Sequence, residues 1–273
     1  MNAFAGLGYN NNHVRALDDA ALRRLAPSVF AESAASDRSH RYTFIPTSAV
    51  IQALRNEGFY PVAAMESRAR IEEKKGFTKH LVRLRRHDGF SHVGEVLPEI
   101  CLMNSHDGTT SYQISAGLFR LVCSNGLIVS DSEIETIRAR HSGNIVDDVI
   151  EGTYHVIERA PEVAGKVEQF RGLVISEPMQ NAFAKAALEL RYEPEEAPIQ
   201  PAQLNRPRRS EDRGDDIWRT FNRVQENMIQ GGIRGKNKNG GRMSTRAVNS
   251  VGENVRLNKA LWTLAEEMRR LVA

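Results

Sequence analysis

Residues 192–214, YEPEEAPIQPAQLNRPRRSEDRG, hold four of the ten prolines of a 273-residue chain, together with dense charge. Proline fixes φ and lacks a backbone donor, so neither a long helix nor an inner strand can run through such a stretch. It reads as a linker or long loop. On that reading the chain divides into a loosely ordered lead at 1–40, a core at 41–191 and a C-terminal region at 215–273. The length suits one large domain or two small ones.

Inside the core the apolar period changes along the chain. Residues 41–45 are strand-like. Thr47 can cap a helix in which Val50, Ile51 and Leu54 share a face, and Gly58 can stop it. Segments 59–67, 77–86 and 95–104 read as extended, Asp107-Gly108 suits a hairpin turn, and 112–115 returns from it. Segment 134–141 also reads as extended. Residues 144–159 show helical spacing, and Pro161 interrupts it before 162–174 resumes. Past the proline-rich stretch come a helix around 215–229 and a final amphipathic helix with Leu257, Leu261, Leu264, Met268 and Leu271 on one stripe. The fold class expected is α+β: an antiparallel sheet with helices packed on one face, and C-terminal helices after the linker.

Charge is distributed unevenly. Residues 68–87 carry eight Lys/Arg against two Glu, and residues 234–259 carry seven against one. These 46 residues hold +12, and the other 227 hold −9. Two basic islands on an acidic body point to a polyanion, and nucleic acid is the commonest. In the first island, period 2 sets Arg83 and Arg85 on one strand face, with Lys79 and Arg86 near its ends. Alternate residues on a strand lie about 7 Å apart, close to the step between phosphates on a nucleic-acid strand. A guarded edge strand would use the same charges. In the second island, GIRGKNKNGGRMSTR sets Arg234, Lys236, Lys238, Arg242 and Arg246 among glycines and asparagines. That composition suits a mobile clamp on a phosphate backbone. It lacks the order of a phosphate-binding loop, so nucleotide hydrolysis gains nothing from it.

Catalytic and metal chemistry find little support. Cys123 lies in SAGLFRLVCSNGLIVSD, where Ser115 can cap a short helix over 116–124 that ends at Asn125 or Gly126. A hairpin with Asn-Gly at its turn is the rival local reading. Either leaves the thiol without an activating neighbour, so a buried structural cysteine is expected. Eight scattered histidines form no metal-ligand spacing, and His141 stands as a single polar residue; no cofactor or metal is expected. No apolar run reaches the roughly 18 residues a membrane span needs. Two cysteines make no disulfide framework, and the N-terminus lacks a secretory pattern, so a cytoplasmic setting and no membrane partner are expected.

RLVCSNGL at 120–127, preceded by NSHDG at 104–108, resembles the plasmid- and prophage-borne family grouped as domain of unknown function 932. GFTKHLVRLRR, His141-Ser142-Gly143 and VRLNKALWTLAE at 255–266 are similar too, so the resemblance spans roughly 40–270. It implies mobile DNA and a bacterial cytoplasm, and leaves activity open. The order of elements is also similar to single-strand annealing proteins of the Rad-fifty-two type, which assemble into homo-oligomers and need no catalytic residue. The leading expectation is a non-enzymatic protein that binds or anneals single-stranded DNA without reading sequence. Its contacts would be Lys79, Arg83, Arg85, Arg86, Arg120, Arg234, Lys236, Lys238, Arg242 and Arg246. A Cys/His enzyme centred on Cys123, and an interaction protein that inhibits a host defence or repair factor, are the alternatives.

Overall fold

The structure, a computed structural model, describes residues 16–37, 44–86, 96–120, 126–128, 137–139 and 145–273. These fall into two compact units. The first runs to Pro161 and includes Ser250–Gly252; the second comprises Glu162–Asn249 and Glu253–Ala273. The division therefore falls at 161/162, and the proline-rich stretch lies inside the second unit.

The first unit opens with helix α1 (Asp19–Leu25), capped by the Asp18 carboxylate, which accepts from the Ala21 N–H at 2.7 Å. Helix α2 (Thr47–Asn56) buries Val50, Ile51 and Leu54 at three- and four-residue spacing, and Gly58, at φ 86°, lets the chain turn out of it. Thr47, the expected cap, is instead the first helical residue, and its hydroxyl turns inward. Residues 44 and 45 are not in a strand; the rest of the expected 41–45 strand lies outside the described residues.

Strands β1 (Phe59–Glu66), β2 (His80–Arg86), β3 (Val96–Asn104) and β4 (Tyr112–Arg120) form an antiparallel meander. The short strands β5 (Gly126–Ile128) and β6 (Ile137–Ala139) both pair with the outer side of β4. The turn between β3 and β4 carries Gly108 at φ 72°, which only a residue without Cβ adopts easily. β4 reaches Arg120 and so replaces the expected helix over 116–120; its remainder, 121–124, lies outside the described residues. Ser115 to Phe119 pair in register with β3, and Gly117 to Phe119 also with β5. Gly126 itself pairs with Phe119, inside the ladder. Helix α3 (Ile145–Glu158) packs on β3, β4 and β6, and also on α2, which covers β1. The core on that face joins Val82, Leu84, Ile100, Leu102, Ile114 and Leu118 to Val50, Ile51 and Val149. Each fully buried aliphatic side chain of this kind contributes about 1.5–3 kcal/mol.

Helix α4 (Ala160–Gly172) leads into the second unit, followed by α5 (Glu177–Glu189) and the short α6 (Pro201–Leu204). Helix α7 (Ile217–Gln230) starts at Asp216, whose carboxylate accepts from the Arg219 N–H at 2.8 Å. Strands β7 (Arg234–Lys236) and β8 (Arg242–Ser244) make a separate two-stranded hairpin, and α8 (Val251–Val272) ends the chain. Trp218 stacks on Phe221, and Trp262 meets Phe170 and Phe221, with centroids 5.2–6.0 Å apart. Leu257, Leu261 and Met268 of the expected stripe are buried, whereas Leu271 is exposed. Among the described residues no helix is long and apolar enough to cross a membrane.

Candidate nucleic-acid interface

The two basic islands have opposite fates. β2 lies between β1 and β3, so it is no edge, and both its faces are covered from His80 to Leu84. Arg83 is 4% exposed. Its Nε donates to Glu99 of β3, and its Nη2 donates to the Leu118 carbonyl at 3.2 Å. Arg85 reaches the other oxygen of the same carboxylate, with Nε to Oε1 at 2.6 Å. One buried Glu thus holds two guanidinium groups. Arg86 lies over the Phe59 ring, Lys79 is half-buried, and Arg120 is buried at the end of β4. The expected row of phosphate-facing arginines is therefore corrected: Arg83, Arg85 and Arg120 serve the interior. The signal was present in VLPEICLM, where a single acid in an apolar strand calls for a buried cation.

The Gly/Asn part of the second island, residues 234–246, is not a loose loop. Arg234 pairs with Ser244, Gly235 with Met243, and Lys236 with Arg242. Alternation then places Arg234, Lys236, Arg242 and Ser244 on one face of the ribbon, and Gly235 and Met243 on the other. The turn is closed by the Asn237 side chain, whose Oδ1 accepts from Asn239 N–H at 3.0 Å and Gly241 N–H at 2.8 Å. The Lys236 N–H donates to the Pro198 carbonyl at 2.9 Å, and Gln203 donates to the Arg234 carbonyl at 3.0 Å. At the base, Arg191 donates to the carbonyls of Met228 at 2.8 Å and Arg246 at 2.6 Å.

The hairpin is therefore docked through β7 and its base. Gly235 is the tightest point, because a Cβ there would stand 1.8 Å from the Pro198 oxygen. Gly235→Ala is expected to cost about 1–3 kcal/mol, since backbone must move to admit the methyl. Limited proteolysis checks it: the variant should be cut within 231–246 under conditions that leave the parent intact.

Arg234, Lys236, Lys238, Arg242 and Arg246 are all exposed. Lys238 has an exposed ion pair with Glu196 at 3.4 Å. Among the described residues no acid pairs with the other four. Lys236 stands directly across from Arg242, an arrangement of like charges that weakens a ribbon unless an anion joins it.

A buried polar cluster lies under the NSHDG and TKH motifs. Thr47 Oγ1 is 2.9 Å from His80 Nε2, 3.1 Å from His106 Nε2, 3.1 Å from Asn104 Nδ2 and 3.3 Å from Tyr112 OH, and all five residues are fully buried. Burial pushes the His80 imidazole down to about 4, against the opposing pull of the Thr78 carbonyl and Asp107. The ring is therefore neutral, with Nδ1–H donating to Thr78 O at 3.0 Å. Thr47 must then donate its one proton to His80 Nε2, and accept from Asn104 and from His106 Nε2–H. Tyr112 sends its own proton to the Ile45 carbonyl at 2.8 Å.

Hydroxyl, imidazole and carbonyl in a row is the order of an activated nucleophile. Here the hydroxyl is fully buried and its hydrogen-bonding capacity is used up, so the row locks α2 onto the sheet. Among the described residues no three His, Cys, Asp or Glu side chains could hold a metal. Cys123 and His141 lie outside the described residues.

These features define an α+β protein with a histidine-locked antiparallel sheet, and a second helical unit that presents a cationic ribbon. The chain belongs to the family described as Domain of unknown function (DUF932), whose model matches residues 34–262. Two proteins of Escherichia coli (strain K12), UPF0380 protein YfjQ and UPF0380 protein YafZ, are each 44% identical to it over 247 residues. That span is 90% of this chain and 89% of each relative. No solved structure matches it.

Proposed function

We propose that this protein binds nucleic acid through the β7–β8 hairpin, by contacts to phosphates and without reading sequence. One observation carries the reading: a docked ribbon holds Arg234, Lys236, Arg242 and Arg246 exposed and, among the described residues, without an acidic partner, with two of them set against each other. A solvated charged surface gains nothing from that opposition, whereas a polyanion converts it into two contacts. Arg83 and Arg85 of the first island take no part, because both are already engaged with Glu99. Binding of this kind needs no catalytic group, and it suits the cytoplasmic, mobile-DNA setting that the family resemblance implies.

The test is a salt series. Binding of a labelled 30-mer should weaken steeply as salt rises. Replacing Arg234, Lys236, Arg242 and Arg246 together by alanine should make the log–log slope shallower by about 3–4. The unfolding midpoint should hardly change, since surface substitutions of this kind stay within about 0.5 kcal/mol. An unchanged slope, or no binding at low salt, overturns the proposal.

A further inference from the structure

Resting on that reading, we infer that the hairpin's ligand is double-helical DNA, and that the ribbon straddles its minor groove with one strand's cations facing each backbone. The register supplies the geometry. Arg234 and Lys236 form one row on β7; Arg242 and Ser244 form a second row on β8, directly opposite. Neighbouring strands lie about 5 Å apart and alternate residues about 7 Å apart, so the outward face is a grid of three cations and one hydroxyl.

A single strand offers one row of phosphates. Its phosphates can follow one row of the ribbon, and they meet the other row only by bridging between the two. A duplex offers two backbones, and the minor groove of B-form DNA is about 6 Å wide, close to the spacing of the ribbon's strands. Side chains splayed from the two rows then meet phosphates on opposite edges of the groove. A-form RNA opens this groove wide and shallow, which takes one row out of reach.

Composition of the hairpin points the same way. Residues 231–250, GGIRGKNKNGGRMSTRAVNS, contain no Phe, Tyr or Trp. Proteins that hold single strands without sequence preference stack bases on exposed rings, at about 1–3 kcal/mol per base. The ribbon has no such ring. Its one large apolar side chain, Met243, lies on the face opposite the cations. Duplex bases are already stacked, so a ligand of that kind asks nothing of the protein beyond phosphate contact.

The experiment compares a 30-base-pair DNA duplex, the same-length DNA single strand and an RNA duplex, at one salt concentration with the full chain. The DNA duplex is expected to bind at least about tenfold tighter than either of the others. Lys236→Ala and Arg242→Ala should each weaken duplex binding about equally, and a minor-groove-binding dye should compete. Single-strand affinity equal to or above that of the DNA duplex overturns the inference while leaving the nucleic-acid reading standing. An RNA duplex that binds as well as DNA, or failure of the dye to compete, also overturns it. Absence of binding to all three ligands removes both. Circular dichroism on each variant checks that the fold is retained.

Discussion

Glu99→Gln is expected to destabilise the protein by about 3–5 kcal/mol, the largest effect of any single substitution considered for this chain. The carboxylate is fully buried between strands, with Arg83 on one oxygen and Arg85 on the other. Losing its charge takes the Glu99 carboxylate away from two guanidinium groups in a site that water cannot easily reach. The complementary variant separates charge from packing. Arg83→Met, Arg85→Met and Glu99→Leu together remove every charge of the cluster while keeping its volume. The triple variant should recover most of the loss, because a buried ion cluster often stabilises no more than apolar groups of its size. Urea unfolding at neutral pH measures both. A Glu99→Gln cost under about 1 kcal/mol would show that water reaches the arginines.

The second large effect is on acid stability. His80 is neutral in the fold, lowered by burial from 6.5 to about 4. Between these values the unfolded chain binds a proton at this position that the folded chain refuses. Stability therefore rises with pH across that window, is fully present above about pH 6.5, and is lost as pH falls toward 4. A shift of this size corresponds to about 3 kcal/mol. Groups facing the ring are the Thr78 carbonyl, Thr47, Asn104, His106 and, by its charge, Asp107; Glu66 pairs with His80 across the ladder. His80→Gln should lower stability at pH 7 and flatten the curve between pH 6.5 and 4 by about the same 3 kcal/mol. Parallel curves for parent and variant would show that other groups carry the acid sensitivity.

Local pattern was readable in the residues where it is decided locally. Strand β3 lies within one residue of its expected start, because its apolar run is bounded by turn residues. Helix α3 lies within one residue of expectation at each end, and the stop at Gly58 follows from a positive φ. The stretch 116–120 misled because Leu118 and its neighbours fit a short helix as well as a strand. Five or so residues cannot distinguish the two periods. Only pairing with β3 and β5 settled it. Thr47 misled in a related way: a threonine before a helix suggests a cap, and nothing nearby in sequence announces two histidines from β2 and the β3–β4 turn.

The candidate site shows the same split. That residues 234–246 concentrate cations among glycines is a property of sequence, and so is the absence of aromatic rings there. That these cations face solvent while Arg83 and Arg85 face inward is not. Both islands read as solvated charge, since an arginine beside apolar residues looks alike on either face of a sheet. The difference came from one distant carboxylate. Glu99 engages Arg83 and Arg85 because strand pairing sets β3 beside β2, whereas the hairpin has a carbonyl of Pro198 under its glycine and, among the described residues, no acid paired with Arg234, Lys236, Arg242 or Arg246. Composition determined that this chain concentrates positive charge in two segments. Tertiary structure decided that Arg83 and Arg85 turn to Glu99 while the cations of 234–246 stay exposed, because burial and pairing depend on neighbours that sequence distance does not reveal.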